Sequence, residues 1–468
     1  MKKVLFLLAI LLVSSFIPPQ VLADGMVIKP RSDNWEYMDE NSQVAAINYQ
    51  DGYQKMIIST NFNMQDVDKV VWIFPVPSDP RKVVIDVTSQ FPRFYGSDVV
   101  ERTKNDIDEL MSVATLTQIY PIFFAFRTVM YAGVAEKSML GTPEGAQGGT
   151  IEGVVVWENI EKEGITVQTL TTRTTDALYD YFQMKGVKVD ENALNVLNYY
   201  IGKDYSFIVS WVSNPNQLGG YGGIEDAQYQ PEASSYRKIS PYMRQPGVAV
   251  TFPTDSIYYP LIPTSVYGSK KIPLRIYVIG YVKPELYGTL KSYAKTSYYF
   301  QENIETYGLE DFFGNMPTRN VEYTKVEMSV PSKYFLQDLW FEKGAPAKVY
   351  YATAVYKGIS SNKMLSTILI IAMVSSVAGA VAGFILFGDP IKFAWVGLAN
   401  LFSIIGLAIA LTLTKTKKID MELKRRLKNE GLVVISSDRR KFFFLVLFSI
   451  LFIVLCYVFG YLIKLPLM

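Results

Sequence analysis

Hydropathy divides the chain into a short apolar start, a long region of mixed polar and apolar positions, and an apolar tail. In the tail, residues 364–387, 391–414 and 442–463 each reach the roughly 20 residues a helix needs to cross a bilayer. The first of these carries no charge, and its run of Ser375, Ser376, Ala378, Gly379, Ala380, Ala382 and Gly383 would let another helix approach closely. Gly388-Asp389-Pro390 suits a tight turn between two antiparallel spans. At the start, Lys2 and Lys3 precede an apolar run over 4–17, then Pro18, Pro19 and Val21-Leu22-Ala23. That order is the order of a secretory signal, with residues 1–23 removed before Asp24. An uncleaved anchor is the alternative, and either would export the downstream chain. No Cys adjoins Ala23, which excludes a lipid anchor there.

The region between reads as strand-rich. Residues 44–49 and 53–61 flank Asp51-Gly52, a strong hairpin signal. Residues 69–76 (KVVWIFPV) and 83–88 read as buried strands, and 98–112 as a charged helix. The Gly-rich stretch 141–150 reads as a loop, dividing the region into an N-terminal part over 24–140 and a C-terminal part over 151–357. In the second part, 151–158, 165–171, 205–212, 248–252, 272–282, 321–330 and 348–356 read as strands. Residues 175–185 and 191–202 read as helices, with Leu178, Tyr181 and Phe182 on one face of the first. Residues 113–135 are apolar but contain Gln118, Pro121 and Arg127, and an Arg in mid-span costs about 2.5–3.5 kcal/mol on insertion scales. They read as a buried or interfacial segment rather than a span. These elements add up to an α+β extracytoplasmic domain with a few helices, followed by a C-terminal bundle of three transmembrane helices.

Charge complicates the tail. Residues 24–362 hold 31 Lys/Arg against 39 Asp/Glu, a net of −8, whereas the loop over 415–441 holds ten Lys/Arg against four Asp/Glu. Short basic loops favour the cytoplasm. With three full crossings and an external domain, this loop would fall outside. Three resolutions stay open: one apolar segment is re-entrant, the signal fixes the topology regardless, or a further span lies upstream. The acidic exterior lacks the clustered basic charge of a nucleic-acid binder.

Candidate chemistry is sparse. The chain has no His and a single Cys, Cys456. This excludes Ser-His-Asp and Cys-His catalysis, Cys/His zinc sites and an internal disulfide. Gly219-Gly220-Tyr221-Gly222-Gly223 lacks the Lys-Ser/Thr ending of a phosphate loop. Its surroundings, with Tyr229, Tyr236 and Tyr242, offer a contact surface within the loop 214–246. Asn61, Asn63, Asp66 and Asp68 lack the spacing of a calcium loop. Asp106, Asp108 and Glu109 read as the solvent face of a helix. Ser235 with Lys238 and Ser360 with Lys363 match Ser-x-x-Lys, but neither opens a buried helix. Residues 417–428 fit a basic helix that could rest on anionic headgroups. No catalytic, cofactor-binding or metal-binding residue is assigned.

Several segments together carry a resemblance. They are Ala23-Asp24-Gly25-Met26-Val27-Ile28, Gln43-Val44-Ala45 before the Asp-Gly turn, and Val71-Trp72-Ile73-Phe74-Pro75-Val76-Pro77-Ser78. Tyr199-Tyr200-Ile201-Gly202, Tyr205-Ser206-Phe207-Ile208-Val209 and Tyr259-Pro260-Leu261 continue it. Over residues 24–282 the chain resembles a family of exported bacterial and archaeal proteins classed as a domain of unknown function. The resemblance implies an extracytoplasmic domain with a C-terminal membrane anchor and brings no catalytic residue with it. The expected function is a membrane-tethered domain outside the cell that binds a partner or shapes the surface without catalysis. An accessory subunit of a membrane complex is the alternative, and a His-free carboxylate hydrolase a third. The expected partners are the membrane and a membrane-protein or cell-surface ligand.

Overall fold

The computed structural model describes residues 26–30, 35–37, 43–60, 71–88, 90–116, 150–151, 153–185, 191–213, 247–415, 425, 429 and 437–468. The signal segment, the Tyr-rich loop and nearly all of the basic loop lie outside these residues. Contacts divide the chain into two units, Met1–Ser97 with Thr142–Ala345, and Asp98–Gly141 with Pro346–Met468. The division differs from the boundaries read at 140 and 357, because the segment after Ser97 and the residues after Ala345 join the apolar tail.

The first unit is built of strands. In chain order they are β1 (Met26–Pro30), β2 (Trp35–Tyr37), β3 (Gln43–Gln50), β4 (Tyr53–Thr60), β5 (Val71–Val76) and β6 (Val84–Thr88). The two-residue β7 (Ser97–Asp98) stands where the chain passes to the second unit. Next come β8 (Thr150–Ile151), β9 (Val154–Lys162), β10 (Ile165–Thr172), β11 (Ser206–Val212), β12 (Gly247–Pro253) and β13 (Ile257–Tyr259). The last are β14 (Lys271–Ile279), β15 (Val282–Pro284), β16 (Ala294–Asn303), β17 (Arg319–Pro331) and β18 (Leu339–Lys343). They form a seven-stranded sheet ordered β2-β1-β5-β11-β10-β9-β8, an eight-stranded sheet ordered β6-β12-β4-β3-β14-β17-β16-β7, and a small sheet β13-β18-β15. Within the larger sheet β3 and β14 run parallel, with Ala45 opposite Ile276.

Alternation decides the layers. Trp72, Phe74 and Val76 of β5 point into one core with Ala45, Ile47, Met56, Ile58, Val250 and Ile276 of the larger sheet. Val71 and Ile73, facing the other way, pack with Leu178, Tyr181, Phe182 and Leu197 of the helices. These are α2 (Thr175–Met184) and α3 (Glu191–Asn198), which come after α1 (Val99–Leu116) of the second unit. β5 is thus covered on both faces, which is why VWIFPV is an unbroken apolar run. The far face of the larger sheet is closed by Leu309, Phe312 and Phe313 over Ala46, Ile57 and Val321. The β3–β4 turn places Asp51 at φ 52° and Gly52 at φ 82°, the left-handed pair that a two-residue hairpin needs. Thr174 caps α2 by accepting from the Ala177 amide at 3.2 Å.

The second unit is helical: α1 (Val99–Leu116), α4 (Ala347–Ser361), α5 (Lys363–Phe387), α6 (Pro390–Leu398), α7 (Ser403–Leu413) and α8 (Ser437–Lys464). The strand expected over 348–356 is corrected here, since these residues lie within α4. Its Tyr- and Val-rich composition favours strands, but Val349, Ala352, Thr353 and Tyr356 are the buried set. That spacing of three and four is one face of a helix. The face meets α1, where the Thr103 hydroxyl donates to the Ala352 carbonyl at 3.0 Å and the Arg102 guanidinium lies 4.6 Å from the Tyr356 ring centre.

Candidate functional site

Among the described residues, three segments are long and apolar enough to cross a membrane, Lys363–Phe387, Pro390–Leu413 and Asp438–Leu467. The middle one is not a single straight helix. α6 ends at Leu398, a short 3-10 turn follows over Ala399–Phe402, and α7 begins at Ser403 with φ 69°. A continuous helix would hold residues 392 and 415 about 34 Å apart, at 1.5 Å per residue. Instead the Lys392 ammonium donates to the Lys415 carbonyl at 2.6 Å. Both ends of the segment therefore lie together, and α6 and α7 form a folded-back hairpin. The start of α8 lies at the same level, because the Lys441 ammonium donates to the Thr412 carbonyl at 3.0 Å and Phe444 stands 5.0 Å from Phe393.

Glycine makes the fold-back fit. A Cβ on Gly379 would collide with the Phe393 carbonyl oxygen, and one on Gly397 with that of Ser375. At Gly383 it would meet the Phe393 side chain. The small-residue face of α5 thus receives α6, antiparallel and with backbone nearly touching backbone, as small residues allow in membranes. At the tip, Asn400 is 1% exposed and donates to the Ser375 hydroxyl at 2.9 Å. Its side-chain oxygen has no hydrogen-bond partner among the described residues. Ser375 is the middle residue of α5, so the hairpin reaches only half the depth of that helix. Gly388, left-handed at φ 69°, ends α5, and Asp389 caps α6 through the Lys392 amide at 3.1 Å.

In the first unit the most engaged titratable group is Asp338, immediately before β18 and 7% exposed. Its carboxylate accepts from the Tyr200 hydroxyl at 2.8 Å and the Tyr258 hydroxyl at 3.0 Å. It also accepts from the Leu261 and Ile262 amides, each at 3.0 Å. Burial lifts the Asp338 carboxyl above its ordinary range, while these hydrogen bonds oppose the lift. Burial, with the carboxylate beside them, raises the Tyr200 and Tyr258 phenols, so both remain donors. The group links the helix layer to the small sheet. With four protein donors directed at it, it works as an internal acceptor. A cleft of about 100 Å³ beside Tyr181, Lys185 and Trp211 falls well below the roughly 300–1,000 Å³ of a small-molecule pocket.

The structure gives partners to some of the residues singled out in the sequence. Asp108 and Glu109, expected on a solvent face, are exposed and partly exposed there and in addition pair with Lys464 at 2.5 Å and Lys363 at 3.8 Å. Lys363 thus faces the Glu109 carboxylate. Gly219–Gly223, Tyr221, Tyr229, Tyr236, Tyr242, Asn61, Asn63, Asp66, Asp68, Ser235 and Lys238 lie outside the described residues, as does nearly all of 417–428. Asn400, Gly397 and Asp338 were not singled out. A lone Asn within an apolar run was the available signal for the first, whereas Asp338 is set apart only by its tertiary partners.

Two outcomes are expected. In a Cys456→Ser background, Lys392→Cys with Lys415→Cys should cross-link through a short bismaleimide, and adding Gly379→Leu should abolish the product. A pair that fails to link in the parent would contradict the hairpin. For Asp338, a raised carboxyl means that folding favours the protonated form. Its stability contribution is full below the ordinary value of 3.8 and is lost as pH rises through the folded value. Thermal melts should therefore show Asp338→Asn gaining on the parent as pH rises through that window. Asp338→Leu should lose about 3 kcal/mol or more, at roughly 1–3 kcal/mol per stranded donor. No protein-family model matches the chain, and no curated protein or solved structure matches it.

Proposed function

We propose that the chain is a membrane-tethered domain that binds a partner or shapes the surface on the side of the membrane opposite its basic loop, without catalysis. The observation that carries this reading is the meeting of Lys392 with Lys415. If α6–α7 enters and leaves by one face, only α5 and α8 cross. The loop after Lys415 then lies on the far side from the start of α5, to which the first unit is joined through α4. Ten Lys/Arg over 415–441 put that loop in the cytoplasm, and the first unit and Lys464 outside. The signal-like start asks for the same orientation. The first of the three resolutions removes the conflict between charge and crossing count. The lack of His and the sealed setting of Asp338 support binding over chemistry. We also propose kinship with the exported family that the segments over 24–282 resemble.

A second reading, an accessory subunit of a membrane complex, is favoured by the hairpin itself. One crossing suffices for a tether, yet the chain builds a non-crossing element that exposes Ile391, Trp395 and Phe402.

In intact cells carrying Cys456→Ser, an impermeant maleimide should label Tyr307→Cys in the first unit and leave Asn429→Cys unlabelled until the membrane is opened. Labelling of Asn429→Cys in sealed cells would overturn the orientation, and turnover of a peptide, glycan or phosphoester by the purified chain would overturn the non-catalytic reading. For the second reading, mild-detergent purification should recover a stoichiometric membrane partner by mass spectrometry. Recovery of a lone monomer would count against it.

A further inference from the structure

We propose that the C-terminal half of α1 is itself embedded in the bilayer, beside the last crossing helix, so that the membrane is held by an excursion from the middle of the chain as well as by its tail. The inference rests on the membrane reading of α5 and α8 and adds a lipid-facing surface to it. Three contacts set the direction of α1. Its Asp108 meets Lys464 at 2.5 Å. One turn on, Met111 packs on Gly460, where an added Cβ would stand 2.9 Å from its Cγ. A further turn on, Thr115 and Cys456 line the same groove. α1 therefore runs antiparallel to α8, from its end inward, and reaches about 12 Å below Lys464 at 1.5 Å per residue.

The chemistry changes along α1 as that path requires. Its exposed stripe reads Glu101, Asn105, Asp108, Ser112 and Leu116, from charged to apolar in the direction of travel. The last charges before the apolar part, Asp108 and Glu109, are paired with Lys464 and Lys363, the residues that close α8 and open α5. Tyr461 stands exposed on α8 about one turn below Lys464, the place of an aromatic belt at the headgroups, and the exposed Tyr457 one turn deeper. At the depth of Tyr457, the exposed Leu116 continues the lipid-facing surface of α8, which reaches on to Val454. Lipid is thus the occupant that this face fits.

Sheet pairing limits what such an insertion can be. β5, before the excursion, pairs with β11, after it, and β3 pairs with β14. The strands on both sides of the excursion belong to one folded unit. The strands before and after it therefore share one side of the membrane, and the orientation argued from the basic loop stands.

Nitroxide labels test this in the full chain with Cys456→Ser, reconstituted in bilayers, at Asn105→Cys, Ser112→Cys, Leu116→Cys and, on α8, Val454→Cys. Collisions with oxygen, which concentrates in hydrocarbon, are compared with those of a water-soluble nickel chelate. The oxygen-to-nickel ratio should rise several-fold from Asn105 through Ser112 to Leu116 and there approach that of Val454. A Leu116 label as open to nickel as Asn105 would overturn the proposal. So would a Leu116 label closed to both reagents, which would mean that protein covers this face. A nickel-accessible Val454 would instead overturn the membrane placement of α8, a failure distinct from the other two.

Discussion

The membrane unit depends on a backbone contact that only glycine permits. Gly379 and Gly397 let α5 and α6 approach until carbonyl oxygens stand where side chains would otherwise begin. In hydrocarbon, association cannot draw on the hydrophobic effect, because lipid tails are as apolar as the side chains. Close packing supplies the attraction instead. It also shields the break between α6 and α7, whose unpaired backbone groups would be costly against lipid. The hairpin, the crossing count and the side on which the basic loop emerges all depend on this contact.

The first unit obeys another constraint. Its seven- and eight-stranded sheets stack, so β5 and its neighbours must be apolar on both faces, and helices or aromatic turns cover the outer faces. Strands this buried leave few places for charge. Asp338 is tolerated because two phenols and two backbone amides converge on it. Removing a partner from such a group is more damaging than never having built it, since a buried donor left without an acceptor loses its hydration without replacement.

The two units share the chain three times, after Ser97, before Thr142 and after Ala345. A simple tether would share it once. This connectivity favours a domain whose fold and membrane attachment are built together, and it gives α1 a role that its position in the middle of the sequence conceals.

Sequence by itself determined the apolar tail, the acid–base split between the region 24–362 and the loop 415–441, the Asp51-Gly52 hairpin and the buried character of VWIFPV. These are local signals: unbroken hydropathy, charge counts, turn chemistry and alternation. Through the lack of His and the single Cys it also excluded Ser-His-Asp and Cys-His catalysis and an internal disulfide. It misread 348–356 because strand propensity is a weak guide once a helix partner such as α1 supplies the packing. It could not separate a span from a fold-back over 391–414, because length and hydropathy are the same for both. Only the tertiary structure decided that, through Lys392 meeting Lys415 and Gly379 meeting Gly397, contacts that hydropathy does not encode. The ion pairs of Asp108 and Glu109 are of the same kind, because the sequence showed charges on a helix and the fold supplied their partners more than 250 residues away.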